Sequence, residues 1–216
     1  MKNVILNATK EHKITAILRG IENDRVCHVI DALYDGGIRL LEVTFNQKSV
    51  TKYEDTAYAI SYAREKYAGR MYVGAGTVMS LRDLEVAFQS GAEFILTPNV
   101  NLEVIKKAVE LGISAIPGAM TPSEVAVSYE AGAELVKLFP AGNLGLSYCK
   151  AIMAPINHIP MIAVGGVDDK NVGDFLEAGF MGVGIGSSLT NKTMIENQDY
   201  EGIRSLARHY MEMALK

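Results

Sequence analysis

The chain has 216 residues, 49% of them hydrophobic, and a net charge of −4, enough for one domain with a sizeable core; α/β barrels often reach this length. No Lys/Arg-rich run or basic stripe appears, which argues against a nucleic-acid partner, and two distant cysteines, Cys27 and Cys149, exclude a disulfide scaffold. No apolar run approaches the roughly 18 residues of a membrane span, and "MKNVILNATKEHK" lacks a signal-peptide core, so a soluble cytoplasmic protein with no membrane partner is expected.

Residues up to about Lys10 read as an extra helix ahead of the first strand, "ITAILR" (14–19), which ends on Arg19. An amphipathic stretch, "NDRVCHVIDALYDGG", leads to the second strand, "IRLLEVT" (38–44). Side chains alternate along a strand, so Leu40, Glu42 and Thr44 share one face and Leu41, Val43 and Phe45 the other. Asn46 stands just past this strand, and "KYEDTAYAISYAREKY" then reads as a solvated helix face. "MYVGAG" (71–76) precedes Thr77, "EFILT" (93–97) runs into Pro98, and "ISAIP" (113–117) ends at Pro117. "ELVKLF" (134–139) sets Leu135, Lys137 and Phe139 against Val136 and Leu138. "MIAVGG" (161–166) carries Val164 and ends on Gly165 and Gly166, while "GVGIGS" (182–187) ends on Gly186 and Ser187. Residues 197–216 read as a further helix outside the barrel.

Several helices close on glycine before the next strand, as at Gly91, Gly112, Gly132 and Gly179, where the left-handed C′ conformation costs little. The unit recurs about every 20 to 30 residues, the signature of a repeat architecture. Strands alternating with helices imply a parallel sheet, and eight such units predict an α/β fold, a single (β/α)8 TIM barrel spanning 1–216. The alternative is an open doubly wound sheet, but no Gly-x-Gly-x-x-Gly follows the first strand.

In such a barrel the chemistry sits at the carboxyl ends of the strands. The outer face wants apolar residues against the helices, which Val43, Val136 and Leu138 supply, so Glu42 and Lys137 should point inward. The same parity places Arg19 with Ile17 and Thr77 with Ala75, bringing four polar groups to one mouth. The plain structural alternative is a buried Lys137–Glu42 ion pair of small net stability. A buried lysine near a second cation loses its proton more readily, and its amine can then form a Schiff base with a ketone, with Glu42 as the proton carrier. The glycines after the last two strands suit a phosphate, Ser187 adding a hydroxyl; the alternative is that they only make tight turns. His12, His28, His158 and His209 have no ligand spacing, so no metal is expected, and no cofactor.

"EVTF" (42–45), "GAGTV" (74–78), "AEFILTPN" (92–99), "IPGAMTPSE" (116–124), "VKLFPA" (136–141) and "GGV…GVGIGSSL" (165–189) together carry a resemblance. From about Ile14 to Leu189 the chain resembles the 2-keto-3-deoxy-6-phosphogluconate aldolase / 4-hydroxy-2-oxoglutarate aldolase family. The resemblance implies a class I aldolase, usually a homotrimer without a metal, that releases pyruvate and an aldehyde. It makes Lys137 the Schiff-base lysine and Glu42 the general acid/base. Arg19 and Thr77 would hold the carboxylate of the pyruvate half, Pro98 and Phe139 would wall the imine, and Gly165, Gly166, Gly186 and Ser187 would cradle the phosphate. The leading expectation is cleavage of 2-keto-3-deoxy-6-phosphogluconate, with 4-hydroxy-2-oxoglutarate as a further substrate. At two positions the chain departs from the gluconate pattern: Asn46 where that pattern is similar to arginine, and Val164 where it has threonine. The related 6-phosphogalactonate aldolases look like this chain at both but usually carry proline where Thr44 stands, so the galactonate epimer is the alternative. A phosphosugar isomerase or epimerase keeps Glu42 and the phosphate site but reduces Lys137 to an electrostatic role. A non-catalytic phosphometabolite binder has little need of a nucleophilic amine.

Overall fold

The structure is a computed structural model and describes residues 3–215; Met1, Lys2 and Lys216, within the expected terminal helices, lie outside the described residues. Its strands are β1 (Ile14–Leu18), β2 (Leu40–Thr44), β3 (Tyr72–Gly76), β4 (Phe94–Leu96), β5 (Ser114–Ile116), β6 (Gly118–Ala119), β7 (Val136–Leu138), β8 (Met161–Val164) and β9 (Gly182–Ile185). All pairings are parallel, in the order β5-β4-β3-β2-β1-β9-β8-β7-β6.

The two ends of that order are neighbours in the chain, separated only by Pro117. The eight expected strands therefore appear as nine segments, one strand being broken at a residue with no N–H for the ladder. Its first half pairs with β4, its second with β7, and the Pro117 carbonyl accepts from the Lys137 N–H at 2.8 Å. This broken strand closes the sheet into a barrel. Gly118 is required at the break, because a Cβ there would lie 2.7 Å from the Pro98 carbonyl.

Period-two alternation sorts the strand residues into two apolar layers. Ile17, Leu40, Leu96, Ile116, Leu135 and Val164 fill the barrel. Leu41, Val43, Val136 and Leu138 face the helices. Burying each such side chain fully stabilises the fold by about 1.5–3 kcal/mol. The N-terminal helix Val4–His12 adds Ile5 and Ala8 to the inner layer, and its Leu6 N–H lies 3.5 Å from Glu134 at the entrance to β7. It therefore plugs the amino end of the barrel. The C-terminal helix Tyr200–Ala214 packs on Asn23–Asp35, where a Cβ on Gly36 would collide with Ala207. It thus lies in the helical ring, at the eighth position, and is not the further helix outside the barrel that the sequence suggests.

Local sequence fixes the helix starts. In "MTPSEV" Thr121 and Glu124 form a capping box with Pro122 in the first turn, so helix Pro122–Glu130 begins where the chain leaves the barrel mouth. Asn101 caps Leu102–Glu110 through the Glu103 and Val104 N–H groups.

Inside the barrel, bulk is matched by glycine on the next strand. The ring of Phe94 occupies the space that a side chain on Gly74 would need. Gly74→Ala is expected to destabilise the protein by about 1–3 kcal/mol through overpacking, read as a lower urea midpoint at unchanged m-value.

Candidate active site

Glu42 and Lys137 lie on strands that are not neighbours, and both point into the barrel near its carboxyl end. Glu42 is 1% exposed and Lys137 6%. Gly76 makes room for the first: any side chain there would occupy the space of the Glu42 carboxylate. Phe139, two residues past Lys137 on the same face, brings its ring centroid 5.1 Å from Nζ.

The two charges are not paired. No N–O separation of 4.0 Å or less joins Lys137 to Glu42, and Glu42 Oε2 is buried without a hydrogen-bond partner. The buried ion pair that formed the structural alternative is therefore absent. Burial pushes the Glu42 carboxyl above its ordinary range, while Lys137 and Arg19 pull it back. Burial likewise pulls the Lys137 ammonium below its ordinary range; Glu42 opposes this and Arg19 adds to it. Burial thus biases both groups, the carboxyl and the amine, toward their neutral forms within one barrel interior. That combination suits covalent attack on a carbonyl with proton transfer beside it.

Arg19 is exposed just beyond β1, and its charge reaches both buried groups. Thr44 is buried and donates to the Leu18 carbonyl at 2.9 Å, tying β2 to β1. Val164 projects into the barrel, and a Cβ on Gly184 would approach its Cγ2 to 2.8 Å. Asn46 is exposed past β2, its side-chain oxygen accepting from the Lys48 N–H at 3.2 Å. Half-buried Pro98 backs onto Gly118.

Gly165 and Gly166 follow β8 with φ of 88° and 73°, conformations that favour glycine. Their carbonyls accept from the Gly142 N–H at 2.7 Å and from Asn171 Nδ2 at 2.9 Å, and the Phe139 ring lies against Gly165. Beyond β9 the Gly186 carbonyl accepts from the Leu189 and Thr190 N–H groups, which leaves Ser187 exposed on the turn. The Thr190 hydroxyl also reaches the Ile17 carbonyl at 3.2 Å, tying this turn to β1.

Two sequence expectations need correction. Ala75 faces the helices, because Gly74 and Gly76 are the inward residues of β3. Strand parity therefore does not place Thr77 in the mouth; the strand has ended, and Thr77 turns the chain at φ 57°. The helix Lys52–Lys66 is also more than a solvated face. Lys52 bonds the buried Asp83 at 3.0 Å, and Asp31 accepts from Tyr62, Lys66 and Tyr67. Neither network leaves a sequence signal, since the partners stand 31 to 36 residues apart. Asn171 was recoverable from the turn-forming "DDKN".

A cleft of about 290 Å³ lies between β1, β2 and their helices, lined by Gly20, Thr44, Asn46, Lys52 and Asp55, among others; neither Lys137 nor Glu42 lines it. Among the described residues no helix is long and apolar enough to cross a membrane, and no group of three His, Cys, Asp or Glu side chains is placed to hold a metal ion.

Fold and site together define a (β/α)8 barrel with a desolvated lysine and carboxyl at its carboxyl-end mouth. Residues 5–206 match the family model "Aldolase: KDPG and KHG aldolase". The chain is 36% identical over 177 residues to the 2-dehydro-3-deoxy-6-phosphogalactonate aldolase of Escherichia coli K12, which covers 82% of this chain and 83% of that protein. A solved structure described as native KDPGal superposes with a TM-score of 0.81 at 30% identity, covering 94% and 96% of the two chains. The KDPG aldolase of Legionella pneumophila, with pyruvate captured as a covalent carbinolamine intermediate, superposes at a TM-score of 0.81 and 25% identity, covering 91% and 93%. The chain belongs to the KDPG and KHG aldolase family. It is an aldolase, a pyruvate-dependent lyase acting on a carbon–carbon bond.

Since Glu42 holds up the proton affinity of Lys137, removing its charge should release that proton more easily. In Glu42→Gln the pH midpoint for modification of Lys137 by an amine-selective reagent is expected at lower pH than in the unaltered protein. A midpoint at higher pH would contradict this electrostatic coupling.

Proposed function

We propose that the protein cleaves a 2-keto-3-deoxy-6-phosphosugar acid to pyruvate and glyceraldehyde 3-phosphate through a Schiff base on Lys137. The observation that carries the reading is the pair of buried, unpaired groups, Lys137 and Glu42, within one barrel. The neutral Lys137 amine attacks the C2 ketone, and Glu42 supplies the proton with which the carbinolamine oxygen leaves as water. The iminium then accepts electrons as the C3–C4 bond breaks, while Glu42 takes the C4 hydroxyl proton. Glyceraldehyde 3-phosphate departs, the enamine is protonated at C3, and water returns pyruvate and the free amine.

In this reading Arg19 and Thr77 hold the pyruvate carboxylate, and Pro98 and Phe139 flank the imine. Gly165, Gly166, Gly186 and Ser187 receive the phosphate on backbone turns where side chains are small. The E. coli relative's activity toward the galactonate compound, together with Asn46 and Val164, favours the galactonate epimer over the gluconate one. Thr44 is the residue that speaks against it. Activity on 4-hydroxy-2-oxoglutarate, a homotrimeric assembly and a cytoplasmic location complete the proposal, with no metal or other cofactor needed.

Incubation with pyruvate and borohydride should leave a reduced three-carbon adduct that peptide mapping places on Lys137; an unmodified Lys137 would refute the mechanism. Lys137→Ala should lower kcat about a thousandfold or more, as removal of a covalent nucleophile does. Glu42→Gln should lower it about 100- to 10,000-fold. Side-by-side kcat/KM values on the two phosphorylated epimers and on 4-hydroxy-2-oxoglutarate test the substrate. A preference for the galactonate compound is expected, and a preference for the gluconate compound would reverse the assignment of Asn46 and Val164. Release of no pyruvate from any of the three would favour the isomerase reading.

A further inference from the structure

Thr77 is one of four non-glycine residues with positive φ among those described, at 57°. An ordinary side chain in this region costs of order 1–3 kcal/mol and persists when its surroundings hold it there. The surroundings here form a continuous polar chain. Gln47 Nε2 donates to the Thr77 carbonyl at 3.0 Å. Gln47 Oε1 accepts from Lys52 Nζ at 2.8 Å, and the same ammonium donates to Asp83 Oδ1 at 3.0 Å. Asp83 Oδ2 in turn accepts from the Met79 N–H at 2.9 Å. The Thr77–Met79 turn is thus gripped at both ends by one network that starts on the loop after β2. The Val78 N–H, between them, donates to the Leu96 carbonyl at 3.2 Å.

The members differ in burial, and that difference separates their roles. Asp83 is buried, and losing it would remove the ion pair with Lys52 and free the Met79 N–H. Gln47 is exposed, so the fold has little need of it. Its amide fits one purpose, joining the ammonium of Lys52 to the carbonyl of Thr77.

We propose that Gln47 is a positioning residue: through the Thr77 carbonyl it fixes the turn on which Thr77 meets the carboxylate of the α-keto acid. The inference rests on the proposed role of Thr77 and adds to it a residue outside the catalytic pocket. It predicts an effect specific to the carboxylate, distinct from any effect on the lysine.

The test compares borohydride trapping at Lys137 with pyruvate and with acetone, which keeps the ketone and lacks the carboxylate. In Gln47→Met, which keeps the length and removes both hydrogen bonds, half-saturation by pyruvate should rise about three- to tenfold, the effect of losing one ordinary hydrogen bond. The rate of trapping with acetone and the thermal midpoint should stay as in the unaltered protein. Gln47→Ala should behave in the same way. An unchanged pyruvate half-saturation would overturn the inference. So would parallel losses with pyruvate and acetone, which would mean general damage to the lysine site. If the unaltered protein gives no adduct at all, the Schiff-base reading itself fails and this inference falls with it, a result distinct from an adduct that ignores Gln47.

Discussion

The barrel is organised around the desolvation of two ionisable groups that form no ion pair with each other. A buried charge normally finds a partner, because leaving it alone in a low-dielectric interior is costly. Lys137 and Glu42 share one interior and still have no N–O separation of 4.0 Å or less. What the fold does instead is shift both proton affinities toward the neutral forms, with burial as the largest cause for each. The residual coupling moderates these shifts, since each group favours the charge of the other. Arg19 does not act symmetrically: it makes Glu42 easier to ionise and Lys137 easier to neutralise. One exposed cation thereby biases both groups toward release of a proton.

That arrangement depends on backbone details more than on side-chain bulk. The Glu42 carboxylate occupies the space above Gly76, and the barrel is closed by a strand broken at Pro117. The break brings the Pro117 carbonyl to the Lys137 N–H, so the residue that interrupts the sheet also secures the strand bearing the lysine. The inner apolar layer, plugged by Ile5 and Ala8, keeps the amino end of the barrel dry.

Much of this was legible in the sequence because it follows from period-two alternation. Leu40 with Glu42, and Leu135 with Lys137, separate from Val43, Val136 and Leu138 in the structure as the pattern requires. For Thr77 the expected phase is wrong within β3 itself, where Gly74 and Gly76 face inward and Ala75 the helices, and past Gly76 a positive φ redirects the chain. The split of one strand at Pro117 was visible only as a proline at a strand end. Contacts carried by long side chains across loops left no trace at all. Lys52 reads as one more charge on a solvated helix until the fold brings it to Asp83.

Epimer choice can be separated from the reaction on physical grounds. Val164 projects into the barrel over Gly184, and threonine has nearly the same shape as valine, so exchanging the two alters hydrogen bonding without altering space. A hydroxyl there would need a partner in a site where few exist, and a substrate hydroxyl is the group able to provide one. Asn46 differs in kind, because it is exposed and its side-chain oxygen is already engaged with the Lys48 N–H. Its amide nitrogen can meet a ligand as a neutral donor, where an arginine would bring charge and a bidentate fork. In the proposed function, discrimination at C4 would rest on the amide of Asn46, a polar group that the wrong epimer can leave unpaired. Neither residue is among the charges that shift Lys137 or Glu42. Under the proposed function the chemistry and the choice of sugar would therefore be carried by different side chains, and the second could change while the first stays fixed.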